Sequence, residues 1–394
     1  MAGKSILGVD VGTSSVKVLA AAVEGGKVLV KGSGSVPSAG LAKGAVTDAD
    51  ALAAAIESAV DCAVMAAAVP RENIYLGIGG MDLASQNSIG SITTASGVVT
   101  TGDIERACRA ATIVAVEDDQ RALHVLPTGY WLDGRRETVA PLGQQGSRID
   151  VEAHIVTVPR ATTEELTAAL AKRNLVVAGI MANAIVSGSI LTAADPTACL
   201  FMDIGAGLTD AAVYSGGQIA MSVSIPLGSD YITGDIMQGL GVSFIHAEEI
   251  KRYYARLDRT LSGREVVLDC NDYGTTDKQV AYDFLSTIVE SRVEEIVSLL
   301  YLYLEPARTR YQPAKILLTG GATLLPSLVE RVEKIFALPI QPALTVATMP
   351  PEYAHPGSLA AFSLLQYAAQ QVPREPVADG GSLRSFLRKL KEYI

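Results

Sequence analysis

The sequence predicts an α/β fold in two related lobes, and three stretches predict it. Residues 6–17, Ile-Leu-Gly-Val-Asp-Val-Gly-Thr-Ser-Ser-Val-Lys, read as a strand, a Gly/Thr/Ser turn and a return strand. Their apolar flanks are β-branched and too short for helices. Residues 200–214 repeat the device: an apolar strand to Asp203, a Gly-rich turn through Gly205 and Gly207, then Thr209, Asp210 and the return strand 211–214. Residues 316–322 form a third stretch, a buried strand that ends in the turn Gly320-Gly321-Ala322.

These residue types in this pattern suit a phosphorylated ligand. Gly12 lets backbone amides approach closely, and amides with the hydroxyls of Thr13 and Ser14 form an anion nest. Asp10 and Asp203 suit the hydration shell of Mg²⁺, and Lys17 can reach a phosphate as a point charge. The Gly320-Gly321 backbone can pass close to a flat ring such as adenine. The two Asp-Gly hairpins and the Gly-Gly turn, in this order, resemble the phosphate and adenosine motifs of the actin, heat-shock-chaperone and sugar-kinase superfamily. That resemblance implies an actin-like, ribonuclease H-like two-domain ATPase fold.

The elements follow in order. Residues 28–33 continue the first sheet, and Thr47 or Asp48 caps a helix over 49–68 whose Leu52, Ile56, Val60 and Val64 recur at helical spacing. A strand over 74–78 closes this unit. Residues 81–152 read as an α+β insert with short strands at 88–93, 123–126 and 128–132 and a helix starting near Thr101 or Asp103. A core strand over 153–158 follows, and Thr162 with Glu165 makes a capping box for a helix ending near Arg173. The uncharged stretch 175–194 is long enough to span a bilayer, but Asn183 and its Ser and Thr residues favour a buried strand and helix. The second half gives helices at 232–240 and 247–257, strand character at 265–268, a long helix over 277–305, a helix through Leu324 to Val332, and a closing helix at 359–369. Two halves that each open on an Asp-Gly hairpin form a weak internal repeat.

Composition excludes several classes. At 49% hydrophobic and 19% charged residues the chain is globular, and a net charge of −10 argues against a nucleic-acid surface. Cys62, Cys108, Cys199 and Cys270 lie far apart and read as small buried hydrophobes rather than a metal site or disulfide frame. The N-terminal apolar run is cut by Asp10, so no signal peptide is expected.

The C-terminus changes character. Residues 371–381, with Pro373, Pro376, Gly380 and Gly381, read as a linker, and residues 382–394 as an amphipathic helix. Leu383, Phe386, Leu387, Leu390 and Ile394 fall on one arc, with Arg384, Arg388, Lys389 and Lys391 outside it. A basic amphipathic helix on an acidic chain fits an anchor on an anionic membrane surface, weak singly and avid when many copies assemble.

The actin-like core, the insert and the basic tail together resemble the FtsA family of bacterial cell-division proteins. Supporting stretches include Leu123-His124-Val125-Leu126-Pro127, the run from Ile225 to Gly228, the run from Ala247 to Lys251, and the run from Leu318 to Ala322. The resemblance implies subdomain 1A at 1–80 and 153–198, the insert 1C at 81–152, subdomain 2A at 199–228 and 307–370, and subdomain 2B at 229–306. It also implies ATP with Mg²⁺ as cofactors, and polymerisation on the cytoplasmic face of the cell membrane at the division site. The chain would anchor FtsZ filaments there, taking the FtsZ C-terminal peptide on 2B and later division proteins through 1C.

By motif, Asp10, Gly12, Thr13, Ser14 and Lys17 would embrace the terminal phosphates from one side, and Asp203, Gly205 and Gly207 from the other. Glu248 and Lys251 would approach adenine or ribose, and Gly320, Gly321 and Ala322 would line the base. Arg292 could meet an acidic peptide, or pair with Glu295 on its own helix. Two positions depart from the pattern. Ala206 replaces a third glycine, and Ala182 stands where related ATPases carry Glu or Gln to orient water, so at most slow hydrolysis is expected. Asp210 is left as the candidate water-positioning residue. The alternative readings are a PilM-like pilus assembly protein, which needs no tail, and a small-molecule kinase, for which the sequence shows no motif for a catalytic Asp facing a second substrate.

Overall fold

A first strand buried on both faces and an alternating third strand at the edge build the first sheet. In the computed structural model, which describes residues 4–42, 44–80, 82–137, 139–257, 267–269 and 279–371, β1 (Lys4–Val11), β2 (Ser15–Glu24) and β3 (Lys27–Pro37) form an antiparallel meander. A two-residue hairpin, β4 (Leu41–Ala42) and β5 (Ala45–Val46), leads to α1 (Ala49–Ala67). Asp48 caps α1 by accepting the Ala51 N–H at 2.9 Å. The helix buries Leu52, Ile56, Ala59, Val60 and Ala63 on the sheet, and β6 (Ile74–Ile78) returns parallel to β1.

The insert comes next. It comprises β7 (Ala84–Thr93), α2 (Thr101–Ala115), β8 (Gln120–Leu132), β9 (Arg135–Glu137) and β10 (Arg148–Pro159), in the sheet order β7-β10-β8-β9. The two short strands expected at 123–126 and 128–132 are one strand, because Pro127 is accommodated where the ladder with β10 shifts register. Strand β10 runs straight through residue 152 and re-enters the first lobe. There α3 (Arg160–Ala171) starts directly after Pro159 with no side-chain cap, so the Thr162–Glu165 capping box does not form: both residues already lie inside the helix. The uncharged stretch becomes β11 (Val177–Ala182) and α4 (Asn183–Thr192), which complete the order β11-β6-β1-β2-β3. Among the described residues no helix is long and apolar enough to cross a membrane.

The second lobe repeats the plan. Strands β12 (Cys199–Ile204), β13 (Thr209–Ser215) and β14 (Gln218–Ile225) form its meander. Helices α5 (Ser229–Leu240) and α6 (Phe244–Tyr254) follow, then the small ladder β15 (Val267–Asp269) with β16 (Gln279–Ala281), and α7 (Tyr282–Tyr303) with α8 (Glu305–Tyr311). Strand β17 (Lys315–Thr319) pairs parallel with β12 and β18 (Ile340–Pro342), giving the order β14-β13-β12-β17-β18. After Gly320 the chain makes only a 3₁₀ turn, Gly321–Leu324. The expected helix starts late, as α9 (Leu328–Phe336), because Pro326 interrupts it.

The closing helix α10 (Leu359–Gln371) packs between the lobes. Its Phe362 and Leu365 share a core with Ile6 and Leu19 of one sheet and Phe201 and Tyr214 of the other. Each such buried side chain contributes roughly 1.5–3 kcal/mol, so this layer fixes the hinge side of the cleft. Cys108 and Cys199 are buried as expected, whereas Cys62 on α1 is exposed and Cys270 lies outside the described residues. The expected linker, 371–381, begins one residue early, since Gln371 still belongs to α10; its remainder and the expected tail helix 382–394, with Leu383, Phe386 and the basic positions, also lie outside them.

Candidate functional site

The two hairpins point into one cleft of about 740 Å³. Register shows how closely the halves repeat. Asp10 on β1 lies opposite Lys17 on β2, and Asp203 on β12 lies opposite Asp210 on β13. Lys17 Nζ stands 3.7 Å from Asp10 Oδ2. From α4, the Asn183 amide donates to Asp10 Oδ1 at 2.7 Å. The second hairpin is tied to α5: the N–H groups of Ser229 and Asp230 donate to the carbonyls of Gly205 and Ala206 at 3.0 and 2.8 Å. Ala206 is not among the residues with positive φ, so the missing glycine costs the turn nothing.

Electrostatics mark the cleft. Burial, then repulsion from Asp210 and Asp10, pushes the Asp203 carboxyl up to about 7, with Lys17 opposing. Burial, with Asp10 adding, pushes Asp210 up to about 6. Burial also raises Asp10, against the charge of Lys17 and the hydrogen bond from Asn183. Three carboxylates thus gather in the cleft, and the charge of Lys17 opposes the rise at Asp10 and Asp203. No cluster of three or more metal-ligating side chains occurs among the described residues. The donor set fits a hydrated divalent cation shared with an anionic ligand rather than a protein-only cage.

The opposite wall carries a cluster of polar side chains. Lys251 on α6 is buried, pairs with Glu248 Oε2 at 2.6 Å, and donates to Thr233 Oγ1 and the Ser229 carbonyl at 2.8 and 3.1 Å. Thr233 donates to Glu248 in turn, at 2.6 Å. Burial alone would raise Glu248; the Lys251 charge and the hydrogen bonds from Lys251, Thr233 and Arg252 hold it below its ordinary range. Lys251 is therefore no solvated helix charge. Gly320 sits at φ 100°, where a Cβ would overlap the Ile204 carbonyl, so the turn tolerates no side chain there. A Cβ at Gly321 would meet open space.

All the predicted hairpin, Gly-Gly and α6 residues line this one cleft: Asp10, Gly12, Thr13, Ser14 and Lys17 from one lobe; Asp203, Gly205, Gly207, Asp210, Glu248, Lys251, Gly320, Gly321 and Ala322 from the other. Arg292 does not. Its guanidinium grips Asp235 at 2.6 and 2.9 Å and Glu295 at 2.5 Å, on the surface of the second lobe. Several lining residues escaped the sequence reading, Asn183, Phe244, Leu324 and His355 among them. Asn183 looked like a polar interruption of an apolar run, yet it is the residue of its segment that enters the cleft, while Ala182 is buried behind it. Phe244, one turn before Glu248, and Leu324 are exposed apolar surfaces of the cleft. His355 stands beside it, its Nδ1 accepting the Gly357 N–H at 3.1 Å.

Comparison with known proteins decides the family. One profile, described as an SHS2 domain inserted in FtsA, matches residues 80–157, and a second, cell division protein FtsA, matches residues 200–362. Cell division protein FtsA of Pseudomonas aeruginosa is 33% identical over 86% of this chain and 82% of its own length. The chain belongs to the FtsA family of cell division proteins. The Neisseria meningitidis FtsA is 30% identical over 98% of this chain and 96% of its own, and the Escherichia coli FtsA 28% identical over 98% of each. Among solved structures, the PilM-PilN type IV pilus biogenesis complex matches with a TM-score of 0.68 at 17% identity, covering 92% of this chain and 98% of its own. MreB 5 of Spiroplasma citri bound to AMPPNP matches at 0.53 and 14%, covering 91% and 94%, and a MamK double helical filament at 0.52 and 13%, covering 94% and 99%. These likenesses establish an actin-like fold. With the FtsA relatives, they leave PilM as a neighbour in architecture only.

Proposed function

We propose that this FtsA-family chain binds ATP with Mg²⁺ in the cleft between its lobes and, as a polymer on the inner membrane face, holds FtsZ filaments to the division site. The observation that carries the reading is the pair of Asp-Gly hairpins, one from each lobe, lining one cleft with the buried Asp10, the half-buried Asp203 and Asp210, and Lys17 beside Asp10. Asp10 and Asp203 would hold Mg²⁺ through its water, and the ion would neutralise phosphate charge. Gly12, Thr13, Ser14 and Lys17 would receive the phosphates from one side, Gly205 and Gly207 from the other. Lys251 and Glu248 would fix the ribose or base beside Phe244, with Gly320, Gly321 and Ala322 closing over the ring.

The Ala182 side chain cannot hydrogen-bond a water, so Asp210 is the group left to orient one. With its carboxyl near 6 it is mostly ionised at neutral pH. Hydrolysis is therefore slow, and nucleotide acts as a conformational and assembly ligand. Membrane attachment is assigned to residues 382–394, self-assembly to the actin-like core, later division proteins to the insert, and the FtsZ peptide to the second-lobe region 229–306. Because Arg292 is held by Asp235 and Glu295, the peptide would have to displace an existing pair to use it.

Vesicle co-sedimentation with FtsZ from the same cell tests this reading. The full chain with Mg·ATP should pellet FtsZ, and a chain ending at Gly381 should leave it in the supernatant. If the full chain pellets without FtsZ, the client assignment is wrong. If both versions leave FtsZ behind, the tether assignment is wrong.

A further inference from the structure

Two buried histidines of the insert stand behind the two sides of the cleft, and no role described so far uses them. His154 on β10 is 1% exposed and His124 on β8 is 6% exposed. His154 lies opposite Leu126 and His124 opposite Val156 in the β10–β8 ladder, so both side chains leave the same face of the insert sheet. That face meets the lobes.

His154 sits in a hydrogen-bond chain that crosses from the insert to the second lobe. Asn87 on β7 donates through Nδ2 to the Ala220 carbonyl at 3.1 Å, which leaves Asn87 Oδ1 as the acceptor for His154 Nδ1–H at 2.7 Å. His154 Nε2 then accepts the Ser222 hydroxyl at 2.8 Å. Ser85 Oγ donates to the Ser222 carbonyl at 2.8 Å. The directions are mutually consistent with a neutral imidazole, and burial pushes the ring down to about 4. Protonation therefore plays no part near neutral pH.

Ser222 leads towards Asp210, which lines the cleft. It lies two residues from Ser224 on β14, on the same strand face, and Ser224 is the register partner of Asp210 on β13. Asp210, Ser224, Ser222 and Ala182 line one small chamber of about 30 Å³. On the other lobe, His124 Nε2 accepts the Ala182 N–H at 3.0 Å, and the next residue, Asn183, holds Asp10. The insert thus bonds one imidazole to the residue before Asn183, which holds Asp10, and the other to β14, the strand paired with the one that carries Asp210.

We propose that His154 is a positioning residue that couples the orientation of the insert to nucleotide binding, acting through Ser222 and the β14–β13 pair on Asp210. This rests on the nucleotide reading of the cleft. By reciprocity, whatever reorients the insert changes nucleotide affinity, and nucleotide changes the insert by the same factor.

The test uses the full chain and Mg·ATP titrated by calorimetry. His154→Leu, which cannot bond Ser222 or Asn87, should weaken Mg·ATP by about fivefold or more, the lower end of ordinary coupling. His154→Gln, which can donate to Asn87 and accept from Ser222, should return to within about twofold of the parent. Ser222→Ala should weaken binding alone and add nothing further to His154→Leu, since the two act as one unit. Reciprocally, Mg·ATP should slow amide exchange in β7 and β10 of the parent but not of His154→Leu. Should His154→Leu fail to fold, Ser222→Ala and the exchange measurement on the parent decide. A lower melting temperature with unchanged Mg·ATP affinity and unchanged exchange protection would mean a purely structural histidine and overturn the coupling alone. No binding by the parent chain would overturn the nucleotide reading and the coupling with it.

Discussion

Asp203 and Asp210 face each other across a β-ladder, and burial together with their mutual repulsion raises the Asp203 carboxyl. In the native state Asp203 holds its proton to about pH 7, whereas an unfolded Asp loses it near 3.8. The folded value is raised, so the contribution to stability is complete below the unfolded value and is lost as pH rises to about 7. The ligand-free protein should lose stability between about pH 4 and 7. Asp203→Asn should flatten that loss and raise the melting temperature at pH 8 by about 2–4 °C. The same change should weaken Mg·ATP at least about tenfold. A ligand-free variant that melts below the parent at pH 8 would contradict the repulsion. On the opposite wall, Lys251→Ala strips Glu248 and Thr233 of a shared donor. It should cost about 1–3 kcal/mol of stability in urea unfolding, as expected for groups left without partners. It should also lower nucleotide affinity, whereas Arg252→Ala, at the exposed edge of the same cluster, should change neither by much.

Helix α2 shows how one element is specified. Thr100 accepts the Asp103 N–H at 3.2 Å, and the Asp103 carboxylate accepts the Thr100 N–H at 2.8 Å and the Arg106 guanidinium at 2.5 Å. Asp103 is fully buried, yet these partners hold its carboxyl below the ordinary range against that burial. A depressed folded value stabilises above the unfolded one and is lost on acidification, so the insert should weaken as pH falls through the carboxylate range. Thr100→Ala should cost about 1 kcal/mol. The helix also lies close to β7, where a Cβ at Gly90 would overlap the Ala107 carbonyl. Gly90→Val should therefore cost several kcal/mol or prevent the insert from folding, roughly the upper range for point changes. Limited proteolysis of the insert would read it.

At this scale the sequence was most legible where the apolar period was clean. The helix at 49–67, the strand at 74–78 and both hairpins lie where the spacing places them. It was least legible where proline or tertiary docking overrode local signals. Pro127 did not split β8, the apparent capping box at Thr162 lay inside α3, and Pro326 delayed α9. The cleft residues on the repeated motifs were readable because glycine, hydroxyl and carboxylate recur at matched register. Asn183, Phe244, Leu324 and His355 were not, because nothing in a local window shows which side chains a distant lobe will face.

Taken whole, the molecule is two sheets of like plan joined by α10, with an insert braced against both. The shared core at the hinge side leaves the cleft as the place where relative motion of the lobes changes contacts. A ligand bridging both hairpins would favour one relative orientation of the lobes, and a polymer would favour it again in every subunit. The central claim is therefore that binding needs both lobes at once. Calorimetric titration of Mg·ATP into the parent chain, Lys17→Ala and Asp203→Asn tests it most directly. The account predicts one site per chain in the parent and a loss of at least about tenfold from either substitution, although the two residues belong to different lobes. Binding that survives either change undiminished, or that is absent from the parent, would contradict it.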